Sequence, residues 1–550
     1  MTLHKKIDIW TLVTFSFIVI FSFCLIYPMF GILRQAVISP KGEFTFQEFV
    51  KFFSEAYYFN TIINSFKVSL AITAVSLLFG IPISYYYSFY HIRGAKVIFV
   101  VSILCCMSAP FIGAYSWILL LGRSGLITKF IKETFGIQLG SIYGFNGIVF
   151  VQSLKLYPLI FVYMNGAFKN IDNSLMEASA NLGCVGIKRF FTVVMQLSMP
   201  TVLAASLVVF MRAFADFGTP MLIGEGFRTF PVEIYNQYLG DHGKNYNFAS
   251  AISVIAIVVT AAVFFIQKWV TGRYKFSINA LHPIAKRKPR GIKGILMHIY
   301  CYLLPAIAFM PQIYIIYLSF RNNYMAVWLE GYSLMNYKAA MGRLLGRSIQ
   351  NTIILGAGSL AIIIIFAILI AYLVVRRPGF ISNTIDTLAM LPYIIPGSVI
   401  AIALVIAFGK RPFALTGTMT IMIMALVIRR MPYTIRSATA TLMQIPMSIE
   451  EAAISLGASK MKTFFQITTP MMSAGIISGA ILSWISIVTE LSSAIILYNN
   501  RSITLTMSAY VAISRGSFGL ASAFSAILTV LTVISLLIYM GVSKTEDIRL

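Results

Sequence analysis

Long apolar runs alternate with short polar loops along the whole chain. A helix needs about 20 predominantly apolar residues to cross a bilayer core of roughly 30 Å, and twelve runs reach that length. Only helices or closed barrels satisfy every backbone group inside a bilayer, so the pattern predicts an all-α polytopic membrane protein. The twelve predicted transmembrane helices are 9–33, 62–89, 97–121, 145–168, 194–217, 248–270, 295–319, 350–375, 385–408, 414–435, 470–496 and 522–541.

The composition of the 550-residue chain agrees with that prediction. Hydrophobic residues make up 58% and charged residues 11%, and the mean hydropathy is +0.84. Soluble domains carry about 25% charged residues, so a soluble enzyme is excluded. The net charge of +25 is carried largely by short loops between apolar runs, where Lys and Arg orient a membrane protein. We therefore expect the lipid bilayer as a partner, and no nucleic acid.

The distribution of Lys and Arg predicts the orientation of the helices. The loops predicted on the inner side hold more basic residues than the outer loops, and seven of them lie in 271–293. Positively charged loops stay in the cytoplasm, so both termini are expected there. The apolar run near the N-terminus is too long for a signal peptide and is predicted to be an uncleaved first helix.

An internal repeat divides the chain into two halves. The segment 177–183 has the sequence E-A-S-A-N-L-G, and 451–457, which lies 274 residues later, has E-A-A-I-S-L-G. At the same separation Asp216 matches Glu490. Each half holds six predicted helices, an even number, so the halves are predicted to be parallel six-helix repeats. The predicted divisions are an N-terminal six-helix repeat at 1–272, a basic cytoplasmic linker at 273–293 and a C-terminal six-helix repeat at 294–550.

Each copy of the repeated segment predicts a short helix in an inner loop. Asp172 is a good N-cap and Pro446 a good first-turn residue. Gly183 and Gly457 follow as stop signals. Apolar side chains on such a helix would be exposed to water, so we expect the helix to dock against another protein. The two predicted helices occupy about 172–190 and 446–464.

These segments resemble the E-A-A-x3-G-x9-I-x-L-P signature of permease subunits in type I binding-protein-dependent ABC importers. The second copy follows the signature through Glu451, Gly457, Ile467 and Pro470. Thr469 stands where leucine is usual. The motif is specific, because it is duplicated at a fixed spacing within a pattern of six plus six membrane helices.

The first copy departs further from the signature, because Val193 and Gln196 replace the isoleucine and the proline. The resemblance still covers both six-helix halves. In this family the short helix docks into a cytoplasmic ATPase and transmits its closure to the membrane helices, so we name the two segments the first and second coupling helix. The resemblance implies ATPase-coupling roles for Glu177, Ala178, Ser179 and Gly183 in the first copy, and for Glu451, Ala452, Ala453 and Gly457 in the second.

The same resemblance implies the partners and the location. We expect two copies of a cytoplasmic ABC ATPase subunit, one on each coupling helix, and an extracytoplasmic solute-binding protein. The chain itself would lie in the bacterial cytoplasmic (inner) membrane. It contains no G-x-x-x-x-G-K-[ST] phosphate loop, no catalytic motif and no clustered metal ligands, and its five cysteines form no C-x-x-C pair. We therefore expect no enzyme activity and no cofactor in this chain, with ATP used by the partner subunits.

Three ionisable residues in the fifth and eleventh predicted helices are candidates for the translocation path: Arg212, Asp216 and Glu490. A charge at the centre of a membrane helix costs about 2.5–3.5 kcal/mol on insertion scales, so it usually faces a cavity or a partner. Arg212 and Asp216 lie four residues apart, and mutual neutralisation is as well supported as a substrate role. Glu490 has no such partner in its own helix and is expected in the path or paired with the other half. Lys155 and Arg429 match in the repeat and are expected to extend toward the inner surface.

The expected cargo follows from the resemblance alone. A fused two-half permease with D-F-G after the fifth helix and E-L in the eleventh resembles the ferric-iron branch of the family. The chain is thus expected to be the permease subunit of an ATP-driven importer, with ferric iron as cargo. Thiamine, a polyamine, a phosphonate or a sugar phosphate remain alternatives within the same class. A more distant alternative is a proton-coupled secondary transporter with Asp216 and Glu490 as proton carriers.

Overall fold

The computed structural model describes residues 8–39, 41–138, 140–240, 245–273, 286–325 and 327–543. Most of the predicted linker 273–293 lies outside these residues. The first half contains the helices Ile9–Phe21, Tyr27–Val37, Gln47–Ser54, Ala56–Phe89, Ala95–Met107, Pro110–Leu121, Leu126–Phe135, Phe145–Lys169, Asn173–Asn181, Gly186–Arg189, Met195–Phe214, Gly218–Ile223, Phe230–Leu239 and Tyr246–Arg273. Two π-helical turns, Ser22–Ile26 and Phe190–Val194, join neighbouring helices of this half.

The second half is also helical, with one small antiparallel hairpin of strands Arg321–Tyr324 and Val327–Tyr332. Its helices are Gly291–Phe320, Met335–Arg343, Leu345–Arg376, Phe380–Met390, Gly397–Phe408, Met419–Met443, Met447–Ser455, Lys460–Thr463, Thr469–Met471, Ser473–Val488, Ala494–Leu497, Leu505–Ser514 and Phe518–Ser543. A 3-10 turn, Leu391–Tyr393, and a π-helical turn, Phe464–Thr468, complete it.

The all-α polytopic fold is confirmed, but a count of exactly twelve spans is not. Within the described ranges, nine helices are long and apolar enough to cross a membrane, and two bent pairs raise the number to eleven. The remaining predicted span, 414–435, does form the helix Met419–Met443. That helix carries Arg429, Arg430 and Arg436, and it is not among the helices that are apolar enough to be membrane-spanning candidates.

Besides the predicted span 470–496, which bends at Met472, two predicted spans are broken rather than continuous. The predicted span 385–408 consists of Phe380–Tyr393 and Gly397–Phe408, which meet at 110°. The predicted span 97–121 is likewise divided, into Ala95–Met107 and Pro110–Leu121. Both breaks coincide with a proline, Pro110 or Pro396, which disfavours the helical conformation in the preceding residue and lacks an N–H donor.

The sequence repeat recurs in the element boundaries. Four consecutive elements of the first half reappear in the second with both ends displaced by 274 residues. This agreement extends to the π-helical turn, an uncommon element, so the two halves share local backbone geometry as well as sequence. The pairs are Phe145–Lys169 with Met419–Met443, Asn173–Asn181 with Met447–Ser455, Gly186–Arg189 with Lys460–Thr463, and Phe190–Val194 with Phe464–Thr468.

Beyond the π-helical turn the halves differ. Gly186–Phe214 continues as one helix of 29 residues, whereas Lys460–Met471 and Ser473–Val488 meet at 65°. The second half has Pro470 just before this bend, where the first half has Gln196. Proline removes a helical hydrogen bond and crowds the preceding turn, which accounts for a kink at this position.

The chain forms two compact units whose limits differ from those of the predicted repeats. One unit contains the described residues of 8–52, 234–257 and 319–543, and the other contains those of 53–233 and 258–318. The first helix therefore belongs to the unit that holds most of the second repeat. Most of Gly291–Phe320, the first helix of the second repeat, belongs to the unit that holds most of the first.

Aromatic packing fixes the first helix within its unit. Trp10 is 2% exposed and stacks on Tyr372 at 4.2 Å between ring centroids. Its ring also meets the edge of Phe464 at 4.8 Å. An ion pair between Asp8 and Arg377 lies beside this cluster. The first helix is thus attached to the helix Leu345–Arg376 and to the π-helical turn that follows the second coupling helix.

Candidate functional sites

Each coupling helix has defined caps. The first is Asn173–Asn181, and the carboxylate of Asp172 accepts a hydrogen bond from the Ser174 amide at 2.9 Å, which confirms the predicted N-cap. The second is Met447–Ser455, in which Pro446 is itself the cap residue, one position before the first turn. Gly183 and Gly457 follow with φ of +75° and +90°. Only glycine adopts this conformation without strain, so both motif glycines serve as helix-ending turns.

The residues of each E-A-A motif point in two directions. Glu177 and Ala178 are exposed in the first coupling helix, and Glu451 and Ala452 are exposed in the second. The third residue of each motif, Ser179 or Ala453, is buried at 8% or 7% exposure. The first two positions are therefore available to a partner, whereas the third packs the helix against its own half. The coupling roles themselves stay predictions.

An exposed apolar surface lies next to each motif; the sequence predicted apolar side chains exposed to water on these helices, but not which residues form the surface. Leu182 and Leu456 are 86% and 89% exposed, and Phe191 and Phe465 are 61% and 60% exposed. Both pairs are separated by 274 residues. The matching exposure of Leu182 and Leu456, in the turns that end the two coupling helices, indicates a protein interaction surface, and Phe191 and Phe465 lie in the π-helical turns that follow. The signal was present in the sequence, as the repeated leucine before each glycine.

The two coupling helices are held by different contacts. In the second, Glu450 is 4% exposed and its carboxylate accepts a hydrogen bond from Arg376 Nε at 2.7 Å. Arg376 Nη2 also donates to the Ile445 carbonyl at 2.8 Å, so one side chain holds both the helix and the turn before it. In the first, the residue that matches Glu450 is the buried Met176, whose carbonyl accepts a hydrogen bond from Arg189 at 3.3 Å.

The candidate path residues Asp216 and Glu490 occupy equivalent places. Each carboxylate lies just beyond the end of a helix, Met195–Phe214 or Ser473–Val488. Each accepts a hydrogen bond from the backbone amide three residues later, and the distance is 3.1 Å in both cases. Both acids therefore cap the next turn of the chain, which is a structural role shared by the repeats.

The side-chain partners of the two acids differ. Glu490 is 4% exposed and forms ion pairs with the guanidinium groups of Arg429 and Arg430. Asp216 is partly exposed and accepts a hydrogen bond from the Gln152 amide at 2.6 Å. Arg212 is half-buried in the last turn of Met195–Phe214. Glu490 is thus paired within its own repeat, and a role in the path stays a prediction for all three candidates.

The expectation that Arg429 extends toward the inner surface is wrong. Its side chain is 9% exposed and turns toward Glu490 and the Ser492 hydroxyl, which lies 3.0 Å from Nη1. A buried carboxylate without a partner is costly, and two guanidinium groups offset that cost. Gly397 makes room for this cluster, because a Cβ atom there would lie 2.2 Å from the Ser492 hydroxyl.

No set of three or more His, Cys, Asp or Glu side chains that could hold a metal ion occurs among the described residues.

Comparison with known proteins follows the same two-part division. The family model described as "Binding-protein-dependent transport system inner membrane component" matches residues 76–276 and 363–544. The ferric transport system permease protein FbpB of Actinobacillus pleuropneumoniae is 29% identical over 536 residues, covering 95% of this chain and 77% of that protein. The putative ferric transport system permease protein FbpB 1 of Haemophilus influenzae is 29% identical over 492 residues, covering 87% and 76%. A putative 2-aminoethylphosphonate transport system permease protein, PhnU of Salmonella typhi, is 22% identical over 251 residues, covering 45% and 86%.

Proposed function

We propose, because the chain belongs to the family of binding-protein-dependent transport system inner membrane components, that this importer permease carries ferric iron. The permease is a multi-pass inner membrane protein, and both of its halves match the family model. The observation that carries the choice of cargo is the similarity to two ferric transport permeases over 95% and 87% of this chain.

The exposed surfaces on the two coupling helices support docking of two ATPase subunits, which would supply the ATP hydrolysis. Each surface presents a glutamate, an alanine and a leucine, followed by an aromatic side chain. A rigid helix with exposed small residues can be packed closely and pushed as a body. ATP binding would close the ATPases, move both coupling helices and open the path outward, and hydrolysis would reset it. A solute-binding protein would deliver the cargo from outside, and both termini would lie in the cytoplasm.

The helices that follow the two coupling helices would transmit that movement to Asp216 and Glu490. Gly186–Phe214 runs as one helix from just after the first coupling helix almost to Asp216. In the second half the equivalent path passes through the 65° bend before it reaches Glu490. A straight helix transmits displacement along its axis, whereas a bent one allows its two parts to rotate separately. The two halves would therefore respond differently to the same movement.

The test is uptake of labelled ferric iron by iron-starved cells that carry or lack the gene. The gene is restored as wild type, as Gly457→Asn or as Gly457→Asp. Asparagine and aspartate share the backbone strain of a side chain at this left-handed position, and asparagine keeps the surface neutral, so it serves as the matched control. The aspartate variant adds a charge at a position where a Cβ atom would have no other described atom within 4 Å.

We expect uptake with wild type, substantial uptake with the asparagine variant and none with the aspartate variant, at equal amounts in the membrane. Normal uptake by the aspartate variant would contradict the coupling role of Gly457. Unchanged iron uptake after deletion would contradict the choice of cargo and leave the importer class in place. The phosphonate, thiamine, polyamine and sugar phosphate alternatives would then be tested with their own labelled solutes. A proton-coupled mechanism predicts instead that an ionophore abolishes uptake while cellular ATP is held constant.

A further inference from the structure

A groove of about 1210 Å³ lies at one end of the long apolar helix Gly291–Phe320, within the unit that contains 53–233 and 258–318. The loop between Ala56–Phe89 and Ala95–Met107 forms its other wall. The lining has two chemically distinct parts. One part is basic and polar, formed by His91, Arg93, Lys288 and His298, and the other is apolar and includes Ile295 and Leu303.

The charge around the groove has a single sign. The flanking segments 90–96 and 286–299 contain seven Lys and Arg residues and two histidines, and neither segment contains an aspartate or a glutamate. Arg93 and Lys288 are both exposed. The groove therefore attracts an anion, and no acidic side chain of these segments competes for that place.

The apolar wall continues along the helix away from the charged end. Ile295 is 61% exposed, Ile299 is 51% exposed and Leu303 is 54% exposed. These residues lie on one face at spacings of four. The helix that carries them is long and apolar enough to cross a membrane, so this face is suited to hydrocarbon rather than to water.

Backbone contacts hold the two walls in place. The His91 amide donates to the Arg287 carbonyl at 2.9 Å, and the Arg287 amide donates to the Phe89 carbonyl at 2.9 Å. The Tyr302 hydroxyl donates to the Arg93 carbonyl. These contacts join the loop to the helix at both ends of the basic part of the lining, which we call the basic rim. The groove is therefore formed without a ligand.

We propose that this groove is a binding site for an anionic phospholipid. The headgroup phosphate lies among Arg93, Lys288 and the two histidines, and the acyl chains lie along Ile295, Ile299 and Leu303. Basic pockets beside membrane helices bind anionic lipid headgroups in this manner. A soluble anion would use the basic rim alone and would gain nothing from the apolar wall.

The test measures binding of phosphatidylglycerol to the purified full-length protein by native mass spectrometry, with phosphatidylcholine as the neutral competitor. The variant Arg93→Gln/Lys288→Gln removes two charges from the rim. The control variant Lys129→Gln/Lys132→Gln removes two exposed charges from the helix Leu126–Phe135. Because each Lys or Arg contributes about 1 kcal/mol to anionic-lipid binding, the rim variant should bind phosphatidylglycerol about thirtyfold more weakly.

We expect wild type and the control variant to prefer phosphatidylglycerol over phosphatidylcholine, and the rim variant to lose that preference. Equal retention of the two lipids by the wild-type protein would overturn the proposal, whether or not the variants fold. An equal loss in the rim and control variants would also overturn it, because the effect would then be one of net charge. Inorganic phosphate that displaces phosphatidylglycerol at matched concentration would show a phosphate site in place of a lipid site.

Discussion

Replacing Glu450 with methionine tests how the second coupling helix is held. Glu450 and Arg376 are 5% and 7% exposed in their side chains, with 2.7 Å between Oε1 and Nε. The variant leaves the Arg376 guanidinium buried without its anion. Removing one partner of a buried ion pair costs about 3–5 kcal/mol, since the remaining charge is uncompensated.

The chain itself offers a neutral replacement for this pair. Met176 occupies the equivalent buried position of the first coupling helix, so methionine fits the local backbone. The double variant Arg376→Met/Glu450→Met removes both charges and should recover most of the loss, because replacing a buried pair by apolar side chains is often neutral. A double-mutant cycle then separates the interaction energy of the pair from the effect of each substitution on its surroundings.

Amide hydrogen exchange is the assay. The exchange of Met447–Ser455 reports how often the second coupling helix leaves its place. A cost of about 3 kcal/mol should accelerate that exchange about a hundredfold in the Glu450→Met variant. Exchange of the first coupling helix, Asn173–Asn181, should not change and serves as the internal control.

Two results would refute this reasoning. Exchange of Met447–Ser455 that is no faster in the Glu450→Met variant than in wild type would show that the pair does not hold the helix. Equal acceleration of both coupling helices would show a general loss of packing instead. In either case the contact between Arg376 and the Ile445 carbonyl would need to be tested separately.

Three further predictions concern other contacts. Gly397→Ala should lower the thermal unfolding temperature by overpacking that costs about 1–3 kcal/mol, whereas Gly166→Ala, which meets open space, should not. Glu490→Gln should destabilise the protein more than Asp216→Asn in the same assay, because one buried and one partly buried arginine pair with Glu490, whereas the neutral amide of Gln152 donates to Asp216. Burial raises the pKa of Asp8, but the hydrogen bonds from the Arg377 side chain and the Trp10 amide outweigh this effect. The pKa of Asp8 therefore lies below its ordinary value of 3.8. The resulting stabilisation is present above pH 3.8 and lost as the pH falls through the lower folded pKa. The protection factor of Ile9–Phe21, which is the exchange rate corrected for its intrinsic pH dependence, should therefore fall on acidification, and this dependence should be absent in Asp8→Asn.

The sequence predicted the elements that local patterns determine. Each of the twelve apolar runs overlaps a helix or a helix pair, because hydrophobic length alone specifies a membrane helix. The coupling helices were predictable from the duplicated motif and from Asp172, Gly183 and Gly457, whose conformational preferences act within a few residues.

Contacts between distant segments were not predictable in this way. Hydropathy places Glu490 and Arg429 within predicted membrane spans, but it does not show that they meet, since 61 residues separate them. The same limit applies to Glu450 and Arg376. Both pairs are visible only when the helices are packed. The absence of a local partner for Glu490 correctly indicated a distant one, but the expected pairing with the other half is wrong, because Arg429 and Arg430 belong to the same repeat.

The breaks near Pro110 and Pro396 could have been predicted more fully. Proline inside an apolar run is tolerated when neighbouring helices satisfy the freed backbone groups, so the sequence allowed either a kinked or a divided span. Tertiary packing decides between them, as the cluster around Gly397 illustrates. Gly397, which directly follows Pro396, was the local sign that the chain turns at that break.

The assignment of the first helix to the unit of Tyr372 and Phe464 has a consequence for biosynthesis. At about 5–20 residues per second, Trp10 emerges from the ribosome roughly 20–90 s before the aromatic partners that bury it. The described residues of the other unit have all been made once Gly291–Phe320 has been synthesised. Its assembly can therefore finish during translation, while the nascent first helix must wait in the bilayer, exposed to chaperones and quality-control proteases, until the chain is nearly finished.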